Sequence, residues 1–155
     1  MSADFPASAA DWVGLLDKDC DDPDVSSVLD RHRVELGKLQ WIHGSSRASL
    51  TEAGVRLLFR KTGAGRSALV DITGVEFVFN GMRGGKPYVG DLPHGLLATD
   101  SLRAIGNKVQ PAMLLATSTP NTHEALWPEY RIQVQVTADE TLKSVSFVST
   151  RARRP

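Results

Sequence analysis

The stretch YRIQVQVT, Tyr130 to Thr137, alternates Ile132, Val134 and Val136 with Gln133, Gln135 and Thr137, and it constrains the fold more than any other part of the chain. A period of two puts the branched residues on one side of a strand and the amides on the other, so one sheet face is buried and the opposite face meets water. Ala138-Asp139-Glu140 supplies a reversal, and LKSVSFVS returns with Val145 and Phe147 on the inner parity. A similar hairpin lies upstream. In AGVRLLFRK, Val55, Leu57 and Phe59 share one face while Arg56 and Arg60 point the other way. Thr62-Gly63-Ala64-Gly65 turns the chain into ALVDITGVEFVF, where Val70 and Ile72 keep one parity and Val75, Phe77 and Phe79 the other, so a bulge or bend is expected at Gly74.

Helix signals precede each hairpin. Ser8 can cap a short helix through ASAADWVGLLDK, with Trp12, Leu15 and Leu16 on one stripe. Asp22 and Pro23 open a second helix, with Val25, Val28, Leu29 and His32 at i, i+3, i+4 and i+7. Thr99 or Asp100 can start a third, which carries Leu102, Ile105 and Val109 and ends at Pro111. Shifting the sequence by 77 lays Val25 on Leu102, Val28 on Ile105, Val55 on Ile132, Leu57 on Val134 and Phe59 on Val136. A shift of 75 then lays Val70 on Val145 and Ile72 on Phe147. The expected fold is α+β, an antiparallel sheet formed by two helix–hairpin repeats over residues 8–80 and 90–149, with the helices packed on one face. At 155 residues the chain fits a single domain.

Charge narrows the function. Eighteen basic and eighteen acidic side chains cancel, which removes the overall basic field of a dedicated nucleic-acid binder. The balance is uneven, because residues 1–35 hold nine acids against three bases while the remainder holds nine against fifteen. The densest acidic part is Asp17, Asp19, Asp21, Asp22 and Asp24. It reads either as a solvated helix start or as a partner-binding patch; a calcium loop would need a glycine and a bidentate glutamate that are missing here. A single cysteine, Cys20, forms no internal disulfide, and four scattered histidines match no metal spacing. No cofactor is expected. No apolar run reaches the ~20 residues that span a bilayer, and MSADFPASAADW lacks the features of a secretory signal, so a cytoplasmic protein without membrane contact is expected.

Catalytic motifs are weak. Gly84-Gly85-Lys86 lacks the spacing of a phosphate loop, Cys20 sits among acids that disfavour its thiolate, and neighbours such as His43 and Ser45 in HGSS make a poor dyad. Binding is the better class. In the loop Gly81 to Tyr88, Arg83 and Tyr88 are candidate partner anchors beside the acidic cluster, and the open sheet face of Arg56, Arg60, Gln133 and Gln135 is an alternative site for an anionic ligand.

The run Gly90-Asp91-Leu92-Pro93-His94-Gly95-Leu96, followed by Asp100-Ser101-Leu102 and by Tyr130 before a terminal hairpin, resembles a group of small bacterial proteins with a G-x-LP-x-GL turn. LLDKDCDDPDVSSVLDRH is similar to their acidic helix start. The resemblance implies an immunity protein of interbacterial competition, which binds the active site of a cognate secreted toxin, type VI secretion being one route of delivery. It implies a monomer or a 1:1 heterodimer with the toxin, and no direct contact with nucleic acid. If the toxin acts on a nucleic acid or dinucleotide, the acidic cluster could mimic phosphates. The repeated helix–hairpin plan also looks like the beta-lactamase-inhibitor-protein fold and the SmpA-type outer-membrane assembly lipoproteins.

Overall fold

The alternating segments lie at the centre of a seven-stranded antiparallel sheet in the computed structural model, which describes residues 6, 8–62, 69–80, 84–110, 112–139 and 141–150. The strands are β1 (Ser45–Leu50), β2 (Val55–Thr62), β3 (Leu69–Val78), β4 (Leu115–Ala116), β5 (Thr122–Leu126), β6 (Tyr130–Val136) and β7 (Leu142–Ser149), in the spatial order β1-β2-β3-β7-β6-β5-β4. The helices α1 (Ala9–Val13), α2 (Pro23–Arg31) and α3 (Leu102–Lys108) are short and few, so the class is α+β. The expected hairpins are β2–β3 and β6–β7, joined where Gly74 to Val78 pair with Val148 to Ser144.

The sheet is wider than two hairpins. Ser45–Leu50 pairs along its whole length with β2 and Thr122–Leu126 pairs with β6, neither being expected as a strand. β1 begins from a tight turn: Ile42 and Ser45 exchange backbone hydrogen bonds around His43 and Gly44, which both have positive φ, 52° and 78°. That is the two-residue hairpin geometry that follows the twist of the strands.

The bulge is where parity demanded it. Leu58 faces Gly74 and Phe59 faces Ile72, leaving Thr73 as the extra residue, so Ile72 and Val75 both point inward. Below the sheet, Phe59, Phe77 and Phe147 are at most 1% exposed and join Trp12, Leu15, Val25, Val28, Ile105 and Val109 in one apolar core. Each such side chain contributes roughly 1.5–3 kcal/mol by leaving water. The helix stripes therefore cover one face of the sheet.

Helix ends follow local chemistry. Ser8 caps α1 and Asp22 caps α2 with Pro23 behind it, as their sequence positions imply. α1 stops at Val13, short of the expected span, and Leu15 is buried from the turn that follows. The cap of α3 is Ser101 rather than Thr99 or Asp100, its Oγ accepting from the Ala104 N–H at 3.1 Å. Asp100 instead accepts from the Leu97 N–H and from the Lys108 ammonium. The turn at Gly63 to Gly65, Arg83, Pro111, Glu140 and the terminal Arg151, Arg153 and Arg154 lie outside the described residues. Among the described residues no helix is long and apolar enough to cross a membrane.

Candidate binding face

Strand register assembles the outward face in rows. Ser49, Arg56, Glu76, Ser146, Gln133, Glu124 and Leu115 are successive cross-strand partners, one from each strand, so a single row, polar as far as Glu124 and ending in Leu115, crosses the whole sheet. Its members hold one another. The Arg56 guanidinium donates to Glu76 Oε1 at 2.6 Å and to Ser49 Oγ at 3.2 Å, and the Gln133 amide donates to Glu124 Oε2 at 3.4 Å. A charge-assisted pair at that distance fixes two long side chains before any partner arrives. The adjoining row runs Arg47, Leu58, Gly74, Val148, Arg131 and Leu126. Over these rows and the next one, of Val78, Ser144 and Gln135, an open depression of about 510 Å³ has Leu58, Val78 and Val148 as apolar lining, with Arg56, Gln133 and Gln135 among its polar groups. Arg60, on the same outward parity of β2, lies opposite Asp71 and does not line it.

The acidic cluster is spread over several structural duties. Residues 17–20 run beside β3 beyond the end of its pairing with β7: the Asp17 and Cys20 N–H groups donate to the Ile72 and Val70 carbonyls, and Ile72 N–H donates to Lys18 O. The Asp17 carboxylate accepts from the Ser149 hydroxyl, tying this segment to β7. Asp22 accepts from the Asp24 N–H at the start of α2, and Asp24 pairs with Lys18 at 3.4 Å. Asp19 accepts from the Asp21 N–H, and these two are the exposed members. Asp19 also faces Asp71 across a backbone bridge, and burial, then Asp19 and Asp17, pushes the Asp71 carboxyl above its ordinary range. Cys20 nearby is pushed up to about 12, first by burial and then by Asp71, Asp19 and Asp21.

Tyr88 is not an exposed loop anchor. It is 8% exposed, its ring lies 4.7 Å from Phe77 and 6.3 Å from Phe79, and its hydroxyl donates to the Asp91 carbonyl. The physical reason is the backbone: Tyr88 N–H donates to Val78 O, so the loop folds back across the end of β3 and carries the ring into the core. His43 is exposed in its turn and makes no dyad with Ser45. His94, at φ 63°, stacks on Trp127 with centroids 4.8 Å apart, and its Nε2 lies 2.9 Å from the Tyr130 hydroxyl. That contact ties the Pro93 turn to β6.

Arg47, Glu76, Lys143 and Ser146 also line the depression but carry no sequence signature of a site. The signal for Arg47 was the weak alternation of Ala48 and Leu50 in SSRASL; Lys143 comes to the face because the β6–β7 register slips between Gln135 and Val136. Among the described residues no group of three or more His, Cys, Asp or Glu is placed to hold a metal ion. Comparison of the chain with protein-family models, with curated proteins and with solved structures finds no match.

Proposed function

We propose that this chain is a binding protein that acts by covering another protein, an immunity protein whose uncovered sheet face closes the active site of a cognate toxin. The observation that carries this reading is the polar row from Ser49 to Glu124, which spans six of the seven strands with its arginine already held by Glu76 and Ser49. A broad, preorganised surface loses little conformational entropy on binding and suits a protein partner. The kind of partner rests on the likeness of the Gly90 to Leu96 turn to toxin-immunity proteins. Exposed Asp19 and Asp21 would steer a basic toxin from the sheet's flank, with the face making the contact. The finer architecture, a duplicated unit, is part of the same proposal: a helix precedes each set of strands, and the inward positions of β2 match those of β6 at the 77-residue offset. Co-expression with the neighbouring open reading frame tests the function. Rescue from killing supports it, and killing undiminished by the protein overturns it.

A second reading has its own observation. Arg56, Gln133 and Gln135 meet in one depression, as a site for a small anionic metabolite would need, although Arg60 stands apart. A rise in melting temperature with added phosphate or dicarboxylate, reversed by Arg56→Gln, would favour it.

A further inference from the structure

Unmatched charge on the sheet face names the chemistry of its partner. Of the ionised groups around the depression, Arg56 and Glu76 neutralise each other at 2.6 Å. Arg47 and Lys143 remain, both exposed and neither with an acidic partner among the described residues. Arg47 stands on β1 in the row that meets β7 at Val148, five residues from Lys143, so three strand spacings across the sheet and about 16 Å along it put the two roughly 20 Å apart on a diagonal. Between them lie Leu58, Val78 and Val148, which form an apolar floor. The surface is thus a neutral, half-apolar strip with one cation on each flank. Water solvates such cations well, but an occupant that covers the floor also brings carboxylates to them in a drier medium, where the attraction grows.

We infer that this face receives an extended acidic segment of a partner protein, laid diagonally over the strands with two carboxylates reaching Arg47 and Lys143. The inference rests on the binding-protein reading above and specifies its contact. An extended chain advances about 3.4 Å per residue with side chains alternating, so carboxylates six residues apart span about 20 Å and point the same way. Arginine and lysine stems allow a further adjustment of reach. A nucleic acid strand is less suited, because Glu76 and Glu124 sit in the row it would cross and the floor offers no aromatic platform.

The probe is a fluorescein-labelled nonapeptide of glycine, serine and threonine with two glutamates six residues apart, titrated into the intact protein at low salt. Saturable binding is expected, weakened at least tenfold by Arg47→Glu combined with Lys143→Glu, weakened by added salt, and abolished when both peptide glutamates become glutamine. Both protein side chains are exposed, so the double variant should melt as the parent does. No saturable binding, or equal affinity for parent and double variant, overturns the inference. So does a single-stranded oligonucleotide that binds more tightly through the same two residues. The co-expression assay separates the two proposals: rescue by both parent and double variant keeps the immunity reading and removes this contact, whereas peptide binding without rescue does the reverse.

Discussion

Across the junction of β3 and β7 the Phe147 ring meets Phe77 edge-on, with centroids 5.8 Å apart and planes at 80°. Tyr130 approaches Phe147 in the same manner at 5.4 Å and 81°. The first contact clamps the line along which the two expected hairpins join, and the second ties β6 to β7 within one of them. Phe147→Ala should cost about 3–5 kcal/mol in a urea titration, a large share of the roughly 5–15 kcal/mol that holds a domain of this size. Phe59→Ala, off the junction but 1% exposed, should cost a similar amount. A midpoint unmoved by either change would refute the inward parity of these strands.

Gly54 has φ +69°, and a Cβ there would lie 2.2 Å from the Tyr88 backbone nitrogen. Gly54→Ala therefore adds a backbone clash to the ~1–3 kcal/mol of a strained conformation. Gly84, at φ +74° with open space around it, provides the control. Thermal melting should show a much larger loss for Gly54→Ala than for Gly84→Ala; equal losses would mean that the loop end at Tyr88 does not sit where it is described.

Charge reversal of Asp19, Asp21 and Asp24 should leave the fold standing, since the ion pair lost among the described residues, Lys18–Asp24, has both side chains over a third exposed. Asp22→Ala should instead cost about 1 kcal/mol by removing the cap of α2. If the acidic flank steers capture of a toxin, stopped-flow association at low salt will slow in the triple reversal. An unchanged rate would restrict the flank to its structural duties.

Burial lowers the affinity of His94 for protons, and burial followed by Arg31 lowers that of His32. A histidine held neutral by the fold stabilises it above the unfolded value of 6.5, and that contribution is lost as pH falls through the folded value. Melting temperature should therefore decline below about pH 6.5, more gently in His94→Phe and His32→Phe. Asp71, shifted upward, has the opposite sign and loses its contribution as pH rises above 3.8. A flat profile between pH 7 and 5 in the parent would contradict the histidine environments.

Cys20 should be nearly inert at pH 8, because so little of a thiol at about 12 is ionised. Ellman's reagent should react slowly with the folded protein and rapidly in guanidinium. The thiol also predicts falling stability as pH rises from 9 toward 12, since the unfolded chain releases that proton first. Fast labelling of the native protein would show an open thiol.

The parts of the fold readable in the sequence are those with strong local repetition. Val55, Leu57 and Phe59 against Arg56, and Ile132, Val134 and Val136 against the glutamines, fixed two strands and the outward face, and Gly74 marked the bulge. β1 and β5 were hidden because SSRASL and THEAL hold few branched residues; long neighbours recruit them by supplying edges to pair with. The site was legible in part. Arg56, Gln133 and Gln135 follow from parity, whereas Arg47 reaches the depression through β1 pairing, marked only by a weak alternation, and Lys143 through a register slip that no period displays. Tyr88 was misread because its loop folds back through one backbone hydrogen bond to Val78, a contact with no local signature.

The β3–β7 pairing also imposes a schedule on synthesis. Val75 waits for Phe147 to emerge, 72 positions later, and at roughly 5–20 residues per second that leaves several seconds on the ribosome. Throughout that interval the nascent ribbon of β1 to β3 carries a bare backbone edge at Gly74 to Val78, the kind of template on which foreign strands aggregate. Translation halted before Leu142 would strand the chain in that vulnerable form, so chaperone demand should peak just before the last strand is released.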